Sequence, residues 1–203
     1  SLPEVSLPHI HIPKKLIFIP ITLIFLIAIP SYIFWHEIVK DLPNPESLRS
    51  RPIPLSTKIY DRNGKLLYKI YKKENRTLLP LDEIPLPLRQ AVIAIEDKNF
   101  YNHPGFSVKG ITRSALRNLT RGELTGGSTI TQQLVKNALL SPEKTLKRKL
   151  KEITLSLLVE KRYTKDQILE MYLNEVSFGG TAYGIEEASQ TYFGKSGKSL
   201  SLA

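Results

Sequence analysis

The sequence predicts a mainly α domain with a small β-hairpin near its start, preceded by a single transmembrane helix. Three observations carry this reading: an uncharged apolar run from Leu16 to Trp35, an Asn63-Gly64 pair between two β-prone runs, and apolar residues at helical spacing from Pro87 onward. With 203 residues, 41% of them hydrophobic, the chain has the length and apolar content for one packed domain plus an appendage.

The apolar run "LIFIPITLIFLIAIPSYIFW" reaches about 30 Å at about 1.5 Å per residue, the thickness of a bilayer core. Pro20 and Pro30 fall within it, and membrane helices tolerate proline better than soluble ones do. Tyr32, Phe34 and Trp35 gather at one end as an interfacial belt, while Lys14 and Lys15 precede the run, which places residues 1–15 in the cytoplasm and everything after Trp35 outside. The run is too long for the h-region of a cleaved signal peptide, and no small-x-small cleavage site follows it. Residues 36–55 contain "KDLPNPESLRSRPIP", rich in proline and polar side chains, and read as an extended periplasmic tether.

The domain itself spans 56–203. In "STKIYDRNGKLLYKIY" two β-prone runs flank Asn63-Gly64, a strong hairpin signal. Helical patterns follow in "LRQAVIAIEDKNF", "VKGITRSALRNL", "TITQQLVKNALL", "SPEKTLKRKLKEITLSLLVEK" and "TKDQILEMYLNEV". Ser141 is placed to N-cap the fourth with Pro142 at its first position, and Thr164 with Gln167 forms a capping box for the fifth. No internal repeat or low-complexity tract is present.

Composition narrows the chemistry. There is no cysteine, which excludes thiol nucleophiles, disulfides and cysteine zinc sites. The 4 histidines are His9, His11, His36 and His103, so acid-base chemistry in the domain rests on carboxylates or on His103, and no histidine-rich metal cage can form. A net charge of +10 suggests an anionic partner, whether nucleic acid, a membrane face or a phosphate-bearing substrate.

Three constellations carry candidate chemistry, each with a plain structural alternative. In "IAIEDKNFYNHPG" an apolar helical run ends in Glu96 and Asp97 and passes through Phe100 and His103 to a Pro-Gly turn. Acids at a helix C-terminus oppose the macrodipole, so they are either solvated or required. "ELTGGSTITQQLVKN" joins two glycines to Ser128 and Thr129 and opens a helix carrying Gln132, Gln133, Lys136 and Asn137; it reads as an anion-holding turn or as an N-capped helix after a flexible loop. It lacks the G-K-[ST] ending of a P-loop. In the helix after Pro142, Leu146, Leu150, Ile153 and Leu157 define a buried stripe, and Arg148, Lys149 and Glu152 share another face, either solvated or functional. Together, two carboxylates, several cations, a glycine-rich loop and a membrane tether fit chemistry at a sugar phosphate on the outer membrane face.

The order of these motifs resembles the peptidoglycan glycosyltransferases of family 51, found in class A penicillin-binding proteins and monofunctional transglycosylases. "EDKNFYNHPG" is similar to the family's first motif, "GGSTITQQLVKN" to its second, "RKLKE" to its third, "ILEMYLNEVSFGGTAYGIEEA" to its fourth, and "YFGKS" to the start of its fifth. The match covers about residues 56 to 203, and no motif position is substituted.

The resemblance implies a lysozyme-like, mainly α fold that joins lipid II to a growing glycan chain on a polyprenyl pyrophosphate through β-1,4 links. Glu96 matches the general base acting on the acceptor's 4-hydroxyl, and Glu152 the second glutamate. Asp97, Phe100 and His103 match supporting positions. Ser128, Thr129, Gln132, Gln133, Lys136 and Asn137 match a cleft-lining motif that contacts donor phosphate and sugars, while Arg148 and Lys149 match cations near the pyrophosphate. No cofactor is required, and the resemblance leaves room for a divalent cation. Because family domains continue through further helices, the domain is expected to be C-terminally incomplete, with room for a transpeptidase domain after it. The implied setting is the bacterial cytoplasmic membrane, single-pass, with the catalytic domain outside and other cell-wall synthesis proteins as partners. A lysozyme-like hydrolase or lytic transglycosylase shares the need for a glutamate acid but has no use for the cation pair. An inactive membrane-anchored scaffold is at odds with intact motif glutamates, and the topology argues against a nucleic-acid binder.

Overall fold

The structure, a computed structural model, describes residues 25–71, 74–107, 110, 112 and 127–201. The chain divides between Asp41 and Leu42 into two units. In the first, residues 25–34 are α-helical and run into a π-helical turn, Trp35–Val39. Many of its apolar side chains, among them Phe25, Leu26, Ile27 and Trp35, are exposed, whereas Ile38 is buried. Among the described residues no helix is long and apolar enough to cross a membrane, and residues 16–24 of the expected span lie outside them, as do Lys14 and Lys15.

The second unit is mainly helical with a small antiparallel hairpin, as the sequence predicts. The segment read as an extended tether is, from Leu42 onward, packed on this unit. Leu48, in the helical turn Ser47–Ser50, is buried in the core. Arg49 lies over the Tyr163 ring, and Arg51 pairs with Glu175 and donates to the Ala138 carbonyl at 3.0 Å. Leu42 packs against the same core and the Tyr163 hydroxyl donates to the Pro45 carbonyl at 3.3 Å, so this proline-rich stretch is held down at several points.

Strands β1 (Thr57–Tyr60) and β2 (Leu66–Ile70) pair antiparallel, with Thr57 opposite Ile70 and a bulge between Ile59 and Tyr60. The connection is longer than a two-residue Asn-Gly turn. Among the described residues only glycines have positive φ, so Asn63 cannot take the left-handed conformation that a type I′ turn needs, and Gly64 alone does so at φ +79°. The Asp61 carboxylate accepts from the backbone N–H groups of Asn63 and Lys65 at 2.8 and 2.7 Å and so organises the loop. The hairpin is anchored through Lys69, which pairs at 2.6 Å with the buried Glu187. Burial alone would raise the pKa of Glu187, but hydrogen bonds from Lys69 and Thr77 hold it below the ordinary carboxylate value.

Helices α1 (Leu86–Glu96), α2 (Ile130–Leu139), α3 (Leu146–Arg162), α4 (Lys165–Glu175) and α5 (Ile185–Phe193) build the body. The helix expected from "VKGITRSALRNL" lies, Gly110 and Thr112 apart, outside the described residues. A two-residue strand β3 (Asn75–Arg76) pairs in parallel with β4 (Ala182–Tyr183). Helix α2 packs on both α3 and α4, and Ile130, Leu134, Leu155, Val159, Leu169 and Leu173 meet in one core with Phe100. The Thr164–Gln167 capping box forms as predicted, and Thr129 with Gln132 makes a second one at α2.

Helix α3 corrects two expectations. It starts four residues later than the Ser141 cap implies, because the Thr145 hydroxyl accepts the Arg148 N–H at 3.1 Å and caps the first turn. Its apolar stripe is not its buried face: Leu146 is 86% and Leu150 44% exposed, while Glu152, Leu155, Ser156 and Val159 are buried. The buried set is centred about 140° round the helix from the predicted one at about 100° per residue. A carboxylate can face the core here because cations from its own helix turn back over it.

Candidate active site

Helix α1 stops at Glu96, and its last two carboxylates part ways. Glu96 is exposed, and its Oε2 accepts from the Gln133 amide of α2 at 2.8 Å. The Gln133 carbonyl in turn accepts from the Tyr172 hydroxyl of α4 at 3.3 Å. Burial, and secondarily the Glu96 charge, push the Tyr172 pKa well up, so this phenol remains a donor.

Asp97 turns inward. Its carboxylate accepts from His103 Nε2 at 2.8 Å and from the Ile130 N–H at 3.1 Å. His103 Nδ1 accepts from the Gly105 N–H at 3.1 Å, so the ring proton sits on Nε2 and points at Asp97. The acid that opposes the dipole of α1 thus caps the positive end of α2. The anion held at that helix start is a protein carboxylate.

The turn carrying these groups is clamped from below. Phe100 is fully buried, with Lys165 Nζ 4.6 Å from its ring centroid. Lys165 also donates to the His103 carbonyl at 2.6 Å and to Glu160 at 2.8 Å, and Glu160 accepts from the Thr131 hydroxyl at 2.5 Å. Gly105 closes the turn at φ +90°, where an added Cβ would lie 2.8 Å from Glu160 Cγ and 2.9 Å from the Ser156 carbonyl oxygen. Gly105→Ala is therefore expected to cost about 2–5 kcal/mol of stability in denaturant titration, from backbone strain and overpacking together. A loss under about 1 kcal/mol would show that the turn relaxes freely.

Glu152 on α3 is the second glutamate. Its side chain is 1% exposed and engages both Arg148, at 2.6 Å, and Lys149. Lys149 also donates to the Ser128 hydroxyl at 2.8 Å, which ties α3 to the loop before α2. Beside this group opens a cleft of about 620 Å³ whose walls include Lys136, Asn137, Lys144 and Arg148. Two acids also line it, Glu74 and Glu175, and both pair with Arg76. Among the described residues Lys136 and Lys144 have no ion-pair partner, which leaves the cleft attractive to anions.

Glu96, Gln133, Ser128, Lys149, Glu152 and Arg148 thus converge around the first turns of α2, and Lys136 and Asn137 line the adjoining cleft. Phe100, Thr129 and Gln132 lie inside: Phe100 in the core, Thr129 bonded to the Gly105 carbonyl at 2.7 Å, and Gln132 in its capping box. Tyr172, Lys165 and Glu160 are contributors that sequence reasoning did not single out. Tyr172 and Lys165 belong to "TKDQILEMYLNEV", whose helical pattern is readable although its cross-helix partners are not. Among the described residues no cluster of three or more histidine or acidic side chains could hold a metal ion.

Residues 63–203 match the family model described as Transglycosylase. The chain is 44% identical over 198 residues to penicillin-binding protein 1A of Rickettsia conorii, covering 94% of this chain and 25% of that relative. It is 42% identical over 193 residues to penicillin-binding protein 1F of Bacillus subtilis, covering 95% and 27%. To penicillin-binding protein 1A of Aquifex aeolicus it is 40% identical over 190 residues, covering 93% and 26%. The chain spans about a quarter of the length of these relatives.

Proposed function

This chain belongs to the transglycosylase family, and from that premise we propose that it is a peptidoglycan glycosyltransferase, polymerising glycan strands from lipid II with release of polyprenyl pyrophosphate. The observation that carries the mechanism is the contrast between the two glutamates. Glu152 is buried and compensated by two cations, whereas the exposed Glu96 faces, among the described residues, a neutral amide. Of the two, Glu96 is the one free to accept a proton.

In this reading Glu96 takes the proton of the acceptor's 4-hydroxyl as that oxygen bonds to the donor's anomeric carbon. The bond from that carbon to the pyrophosphate oxygen breaks, and the pyrophosphate leaves with the electron pair. Arg148, Lys149 and Lys136 stabilise the departing charge, and Ser128 and Asn137 contact phosphate or sugar. Gln133 holds Glu96. Asp97 and His103 fix the turn that presents it, while Phe100, Thr129 and Gln132 hold the shape of the cleft rather than touch substrate.

The substrate's lipid tail calls for a membrane setting, and the exposed apolar side chains of residues 25–35 are suited to lipid rather than water. We place residues 16–35 in the cytoplasmic membrane of a bacterium, with 1–15 inside and the domain outside, in company with other cell-wall synthesis proteins. No cofactor enters the scheme. The test is incubation of the full-length protein with labelled lipid II. Glycan polymer that lysozyme digests is the expected product, and cleavage of preformed peptidoglycan without any polymer would replace this reading with a hydrolase.

A further inference from the structure

We infer that Tyr172 is a positioning residue for Glu96, acting through the side-chain amide of Gln133. This rests on the reading of Glu96 as the base. A glutamine amide has two ends of similar shape and opposite character: Nε2 donates and Oε1 accepts. Only Nε2 suits a carboxylate, since the reverse orientation would set two acceptors against each other. The carboxylate thus selects the orientation, and the far end of the amide is tethered by the Tyr172 hydroxyl, which donates to Oε1 at 3.3 Å while Nε2 reaches Glu96 at 2.8 Å.

Tyr172 is well built for this task. It is 3% exposed, on a helix packed directly against α2, so its ring has little freedom. Burial, and secondarily the Glu96 charge, raise its pKa, so the hydroxyl keeps the proton that it donates to Oε1. The chain of three groups engages Oε2 of Glu96 and, among the described residues, leaves Oε1 for a substrate hydroxyl. Without the phenol the far end of the amide is untethered, and Glu96 loses the fixed position of its donor.

Tyr172→Phe removes one hydroxyl and keeps the buried ring. In the full-length protein it should lower kcat for lipid II polymerisation about tenfold with KM within about twofold, since small misplacement of a reacting group is felt in turnover. In a Gln133→Met background, where both hydrogen bonds are already gone, Tyr172→Phe should have no further effect. Parental kcat, a rise in KM alone, or a full additional loss in the double variant overturns the inference. Should Tyr172→Phe fold poorly, Tyr172→Met, whose flexible side chain adapts to the space of the ring, removes the same hydroxyl and should show the same loss of kcat.

A second readout is independent of turnover. In nitrogen-resolved NMR, the Gln133 side-chain amide protons should exchange slowly with solvent in the parent and several-fold faster in Tyr172→Phe. Unchanged exchange overturns the inference. Faster exchange in a protein that fails to polymerise lipid II would instead uphold the Tyr172–Gln133–Glu96 linkage and sink the functional reading.

Discussion

Glu96→Gln is expected to lower lipid II polymerisation at least about 10²-fold, within the range of general-base contributions, and to leave stability and lipid II binding close to the parent. Glutamine keeps the volume and one acceptor oxygen but cannot take a proton at neutral pH. Glu96 is exposed, and its described hydrogen-bond partner is the Gln133 amide, so the substitution disturbs no ion pair and buries no new group. The loss should therefore appear in kcat, with little change in melting temperature or KM. Near-parental polymerisation by a folded Glu96→Gln protein would remove the base assignment, and the exposed carboxylate at the end of α1 would be only a solvated helix end.

Glu152→Gln should behave differently, losing rate and stability together. The carboxylate is 1% exposed and serves two cations at once, and Lys149 extends the network to Ser128. An amide in its place offers one acceptor and turns an N–H₂ group toward a cation, which leaves buried positive charge uncompensated. Removing one partner of a buried ion pair costs about 3–5 kcal/mol, and at least about 2 kcal/mol is expected here because Arg148 and Lys149 retain some solvent contact. Turnover should fall at least about tenfold, since the same cations are assigned to the departing pyrophosphate. Thermal unfolding and lipid II kinetics on the same preparations separate the cases. A Glu152→Gln protein with parental melting temperature and greatly reduced kcat would make Glu152 a reacting group instead of a structural counter-ion.

These two expectations show where sequence was sufficient and where it was not. The family resemblance sets Glu96 as the base and Glu152 as the second glutamate, but nothing in their local spacing shows that one is exposed and the other buried. Phe100 sits between the exposed Asn99 and Tyr101 yet is buried, and Gln132 is buried beside the partly exposed Gln133. Tyr172 lies within the fourth motif, but its local pattern does not show its role, because its hydroxyl partner is 39 residues away.

What the sequence by itself determined are features governed by a few neighbouring residues. The Thr164–Gln167 capping box is closed within one turn, the helical spacing from Pro87 onward yields a mainly α unit, and the Asn63-Gly64 pair marks a chain reversal. Even there, the choice of Thr145 over Ser141 as the cap of α3 was not legible, since both positions carry a suitable hydroxyl. Only the tertiary structure decided which face of α3 is buried and which of two adjacent acids is free. Those outcomes depend on partners brought in from elsewhere in the chain: Ser128 to Lys149, Ile130 to Asp97, Gln133 to Glu96. Hydrophobic periodicity counts apolar side chains and takes every carboxylate as outward-facing. A carboxylate with two cations over it and a hydroxyl behind them can be buried, because its charge is satisfied where water is excluded, and that compensation exists only once the helices have met.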